Sequence, residues 1–209
     1  MSVTRIEAFS DGIFAIVGTL LVLEIHVSSI TGPNVSAALI GGFRTMPPKF
    51  LSYVLSFMIV CIWWVAHHHL FHLLRRSDRG LLWFNSVFLL WLAFIPFPTA
   101  LLGDYPRERV AVMSYGGVMA LAGLSFAWMR YYCFFMANLT HEDLDRKLMR
   151  GAMIKSALNP VLHILAIVLA LVSTRIAIGL LVAIPLMSFF AEQAGKSRPA
   201  PFVSIASYH

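Results

Sequence analysis

Arg5-Ile-Glu-Ala-Phe9-Ser10-Asp11-Gly12-Ile-Phe-Ala-Ile16-Val-Gly-Thr19-Leu20-Leu-Val-Leu23-Glu24-Ile25 opens the chain with a polar head and an unbroken apolar run. The run is long enough to cross a bilayer as helix, since a hydrocarbon core of about 30 Å takes roughly 20 apolar residues. Ionisable groups at a membrane helix are costly and usually functional, so Arg5 and Asp11 at the mouth of this segment single it out. Thr4 and Glu7 have capping-box spacing and predict a helix start near Arg5. Residues 1–4 offer no basic leader and no small-residue cleavage site follows Ile25, so this segment is expected to remain in the mature chain.

The whole chain has the same character. Of 209 residues, 59% are hydrophobic and 12% charged, with a mean hydropathy of +0.78. Soluble domains carry about 25% charged residues. The fold class expected is therefore all-α: a polytopic membrane protein with six spans, at about 5–27, 50–74, 81–103, 110–136, 151–173 and 176–192. Residues 1–192 form one transmembrane domain and 193–209 a short tail. Gly32-Pro33, Pro47-Pro48, the basic turn from Arg75 to Arg79, Tyr105-Pro106, the polar stretch 140–150 and Thr174-Arg175 mark the connections. Prolines 96 and 98, Pro160 and Pro185 are expected to kink or end their spans.

With the N-terminus inside, 11 of the 16 Lys and Arg fall on the cytoplasmic side. Positive-inside bias then predicts a multi-pass protein of the cell membrane with both termini cytoplasmic. The formal charge of +6 reads as topology, because no soluble basic face offers itself to a nucleic acid. Cys61 and Cys133 lie in apolar segments and read as buried thiols.

At about 100° per residue, Gly12, Ile16, Thr19 and Leu23 share a narrow stripe bordered by Leu20, while Ser10 and Asp11 point away from it. Spacing is compatible with ordinary helix packing through small residues and with a narrow, mostly apolar pathway. On either view Asp11 faces neighbouring helices and needs partners. Trp64, His67, His68 and Asn85 lie at a similar depth and predict a network with Arg5, Ser10 and Asp11, since indole and imidazole N–H groups donate to carboxylates. His68 and His72 are i, i+4, which is metal-ligand spacing. The sequence shows no third ligand beside them, so no metal site and no cofactor are expected, and no catalytic constellation is present. The competing functions are a proton-coupled transporter with an Asp11–histidine relay and a metal-binding membrane protein using the histidine cluster.

Arg5-x-x-x-Phe9-Ser10-Asp11 resembles the signature of the transmembrane protein 175 family of potassium channels. Trp64-x-x-His67-His68-x-Leu70-Phe71, then Arg76-x-Asp78 with Asn85, then Pro96-Phe97-Pro98-Thr99 with Leu102-Gly103-x-Tyr105, resemble the family pattern in the same order. The resemblance covers residues 5–105; beyond them only the span count agrees. It implies a channel without a T-V-G-Y-G filter, formed by four copies of a single six-span unit, with the first helices around a pore for K⁺. It also implies a constriction at Ile16, further apolar rings at Leu20 and Leu23, and a threonine ring at Thr19 tied to potassium preference. Arg5, Phe9, Ser10 and Asp11 would hold the helix in place through Trp64, Asn85 and one of His67 and His68.

Overall fold

A computed structural model of the chain describes residues 2–26, 35–44, 46–141 and 144–196. They form α1 (Val3–Leu23), α2 (Val35–Arg44), α3 (Met46–His72), α4 (Arg79–Ala93), α5 (Pro96–Asp104), α6 (Arg109–Tyr131), α7 (Arg146–Val172) and α8 (Thr174–Lys196), with a π turn at Tyr132–Met136. Among the described residues, five segments are long and apolar enough to cross a membrane: α1, α3, α4 with α5, α6 with its π turn, and α7. The apolar part of α8, Thr174–Ser188, is shorter. The chain is thus an all-α polytopic membrane protein, and its outer surface includes Trp83, Leu90, Val110 and Val172, all well exposed. Large apolar groups on the outside are expected where lipid replaces water.

Helix boundaries follow local chemistry. Pro47 and Pro48 sit in the first turn of α3, where a missing N–H costs nothing. Asp78 caps α4, accepting from Leu81 N at 2.8 Å, while its second oxygen accepts from Tyr132 Oη at 2.6 Å. The third span breaks at Ile95-Pro96 because proline cannot donate to the preceding turn. Asn138, with φ 47°, takes the left-handed conformation after the π turn, one that asparagine tolerates.

Two expectations are corrected, and one basic residue is placed in the interior. Residues 35–44 are helical, where the stretch 28–49 read as a mixed connection; residues 28–34 and 45 of that stretch lie outside the described set, as does the tail from 197 onward. Helix α1 starts at Val3, after Ser2, without a side-chain cap, and the Glu7 carboxylate is engaged with His68 rather than in a capping box. Arg130, counted with the cytoplasmic charges, is buried among α3, α6 and α7, where it donates to Ala66 O, Ala152 O and Ser156 Oγ. Of the thiols, Cys133 is buried and Cys61 half-buried.

Helix α6 is the spine, packing on α4, α5 and α7, while α1 rests on α3, α4 and α5. A Cβ added at Gly116 would lie 2.9 Å from Ile167 Cγ1, and one at Gly123 would lie 3.1 Å from Asn159 Oδ1. These glycines let α6 and α7 approach closely. Gly116→Leu should therefore cost about 1–3 kcal/mol through overpacking, read as a lowered melting temperature of the detergent-solubilised protein. A polar tie crosses the middle of the bundle. Thr99 Oγ1 donates to Ile95 O at 2.8 Å, so it accepts from Ser56 Oγ at 2.7 Å, and Ser56 in turn accepts from Tyr115 Oη at 3.1 Å. One hydroxyl chain thereby fixes α3, α5 and α6 and satisfies every member.

Candidate pore helix and its anchors

Helix α1 has two unlike faces. Ile6, Ser10, Phe14, Val17 and Leu21 are buried against the bundle. On the other side Phe9, Ile16, Leu20 and Leu23 are exposed, Ile16 at 58% and Leu23 at 68%. Gly12 and Thr19 share this exposed face. The sequence stripe is thus the side of α1 that no described element of its own chain covers. Thr19 Oγ1 donates to Ile16 O at 2.8 Å. Its only proton is spent within the helix, which leaves its oxygen lone pairs for an outside partner.

The buried face is held by two separate anchors. In the first, Ser10 Oγ donates to Ile6 O at 2.9 Å and accepts from Asn85 Nδ2 at 2.9 Å. Asn85 Oδ1 accepts from His67 Nε2 at 2.9 Å. The imidazole proton therefore sits on Nε2. Nδ1 is buried with no partner among the described residues, and the ring is enclosed by Phe14, Phe71 and Phe88 at centroid distances of 5.5, 4.2 and 6.1 Å. This is a neutral structural histidine joining α1, α3 and α4.

The second anchor is half-exposed. Trp64 Nε1 donates to Asp11 Oδ1 at 3.0 Å, and the Trp64 indole stacks on the His68 imidazole. His68 Nδ1 meets Glu7 Oε1 at 2.9 Å, and His72 Nε2 lies 3.0 Å from His68 Nε2.

Sequence reasoning grouped these residues as one network, but the structure divides them. His67 takes the place beside Ser10 and Asn85, while His68 turns to Glu7. Asp11 is half-buried and bonded to Trp64, and no hydrogen bond joins it to Ser10 or Asn85. Arg5 and Phe9 belong to neither anchor: Phe9 is 62% exposed, and the Arg5 side chain makes no hydrogen bond or ion pair with a described residue. The helical period explains this. Residues 5, 9, 12, 16, 19 and 23 recur at intervals of three and four, so Arg5 and Phe9 continue the exposed stripe toward the N-terminus. Sequence reasoning gave Glu7 only a capping role; its spacing of four from Asp11 on α1 was the available signal.

Comparison with known proteins places these features in a family. Residues 5–96 match the family model described as endosomal/lysosomal potassium channel TMEM175. The chain is 37% identical to a potassium channel of Streptomyces collinus, covering 84% of this chain and 85% of that one. It is 33% identical to a potassium channel of Chamaesiphon minutus over 84% and 87% of the two chains. The crystal structure of a lysosomal potassium-selective channel TMEM175 homolog from Chamaesiphon minutus superposes with a TM-score of 0.78 at 30% identity, covering 90% of this chain and 97% of that one. The matched segment contains α1, both anchors and the exposed stripe, and this chain belongs to the TMEM175 family of potassium channels.

Proposed function

We propose that this protein is a K⁺-over-Na⁺ channel of the cell membrane. Four copies of the 1–192 domain would surround one pore lined by α1, with the 193–209 tail and both termini in the cytoplasm. The observation that carries the reading is the exposed face of α1. Ile16, Thr19, Leu20 and Leu23 stand outward from a helix whose opposite face is fixed by buried hydrogen bonds. Four such faces make apolar rings at Ile16, Leu20 and Leu23, with a hydroxyl ring at Thr19. The relatives named potassium channels support K⁺ as the permeant ion, and the Lys and Arg bias supports the orientation.

Permeation is passive. An apolar ring at Ile16 gates by dewetting, so a small outward movement of α1 admits water and ions. Thr19 oxygens, their protons held by Ile16 O, replace part of the hydration shell of a cation beside the ring. The chain has no T-V-G-Y-G run, so selectivity is not assigned to a ring of filter carbonyls. Neither anchor supplies catalytic chemistry; their part is to hold the wall of the pore.

The test is ion flux from liposomes holding the purified protein, K⁺ against Na⁺, with a protonophore to dissipate the voltage. Faster K⁺ flux without a pH gradient is expected; flux that requires a pH gradient would favour a proton-coupled transporter. Thr19→Val should move the bi-ionic K⁺/Na⁺ reversal potential toward zero, because a methyl cannot coordinate the cation. An unaltered reversal potential would remove Thr19 from selectivity.

A further inference from the structure

Glu7, His68 and His72 meet at the end of α3 next to the basic turn, and permeation as proposed gives them no part beyond anchoring α1. One donor atom from each lies within 4.8 Å of the others. His68 and His72 share a face of α3, and Glu7 reaches them from α1. With Glu7 ionised, the proton of His68 sits on Nδ1 in the bond to Oε1, so Nε2 presents a lone pair toward His72. A carboxylate on the far nitrogen is how histidines that bind metals are commonly oriented. The stack with Trp64 further restricts rotation of the ring. His72 is exposed, which leaves the cluster open to solvent.

We propose that Glu7, His68 and His72 form a binding site for a divalent transition-metal ion of the zinc class, held by α3 beside the first turns of α1. His68 Nε2 and His72 Nε2 are the nitrogen ligands. They are 3.0 Å apart, against about 3.3 Å for two nitrogens on a tetrahedral zinc, so a slight ring rotation admits the ion. His72 then carries its proton on Nδ1. Glu7 orients His68 and supplies negative charge, and water completes the shell. Two imidazoles favour zinc-class ions over Mg²⁺ or Ca²⁺, which take oxygen ligands. His69 follows His68 directly but points elsewhere and is not a member of the group.

The test is calorimetric titration of the tag-free, detergent-solubilised full chain with zinc chloride near neutral pH. Saturable binding of one zinc per chain is expected. His72→Ala should weaken it about 10–100-fold, while His69→Ala leaves it unchanged. His72 is exposed and its ring bonds only to His68 among the described residues, so its removal spares the fold. Glu7→Gln, which keeps the shape but loses the charge, should also weaken binding, and Co²⁺ should give a visible absorption band that disappears in His72→Ala. Absence of saturable binding, equal affinity in His72→Ala, or an equal loss in His69→Ala would overturn the site. None of these readouts involves ion flux, so the site and the channel reading fail independently.

Discussion

Ile16→Asn is expected to give the largest functional change of any single substitution: K⁺ flux at least about tenfold higher, with weakened gating. The residue is 58% exposed on the free face of α1, one turn from Gly12 and aligned with Thr19. In a tetramer four sec-butyl groups would converge there. A dry apolar ring opposes ions because none of its atoms can replace lost hydration. Asparagine is close in size and brings an amide with both donor and acceptor, so each ring position can hold water. A tenfold rise needs only about 1.4 kcal/mol off the barrier, a small share of what keeping a cation in an unhydrated constriction costs. The substitution leaves the packing of α1 alone, since Phe14, Val17 and Leu21 on the buried face are untouched. Single-channel recording or liposome flux reads the result directly. Flux equal to that of the parent protein, at equal reconstituted protein, would show that the constriction lies elsewhere, with Leu20 and Leu23 the next residues to change.

The spans and the exposed stripe were legible in the sequence for a simple reason: both depend on local properties. Hydropathy adds along the chain, and the helical period places Gly12, Ile16, Thr19 and Leu23 on one side whatever surrounds them. The break at Pro96 was legible for the same reason, because proline acts on its own turn. Helix α2 was not, since ten residues between Pro33 and the Pro47-Pro48 pair carry too little signal to separate helix from loop. The π turn at Tyr132–Met136 left no mark in the sequence either, being one extra residue accommodated within an apolar helix. The anchors lie between these cases. Their members were identifiable as the few polar groups at one depth, but the pairing depends on how α1, α3 and α4 are rotated against each other. Neighbours His67 and His68 differ by about 100° around α3, enough to send one to Asn85 and the other to Glu7. Arg5 and Phe9 differ again: the helical period continues the exposed stripe through them, but Arg5 was grouped with the network as a charge at the same depth and Phe9 only through the resemblance to the family signature.

The division into two anchors leads to the second large effect, on stability. Asn85→Leu should lower the melting temperature and the yield of folded protein far more than Asp11→Ala. Leucine matches asparagine in shape, so no cavity arises, but Ser10 loses a donor and His67 Nε2–H loses its acceptor in a site already holding one unpartnered nitrogen. A stranded buried polar group costs about 1–3 kcal/mol. Asp11 is half-buried, and solvent can take over from Trp64 when the carboxylate is gone. Fluorescence-detected melting and size-exclusion chromatography of both variants make the comparison. The cause can be isolated by adding His67→Phe to Asn85→Leu. His67 is ringed by Phe14, Phe71 and Phe88, so a phenyl ring fits the same walls and removes the stranded N–H and the unpartnered nitrogen of position 67, leaving only Ser10 short of one donor. Replacing both partners of a buried hydrogen bond by apolar groups of similar shape can be nearly neutral, whereas removing one is not. The double variant should therefore be more stable than Asn85→Leu alone, a coupling of about 1 kcal/mol or more. Strict additivity would mean that Asn85 acts through packing and that the Ser10–Asn85–His67 bonds do not hold the pore helix.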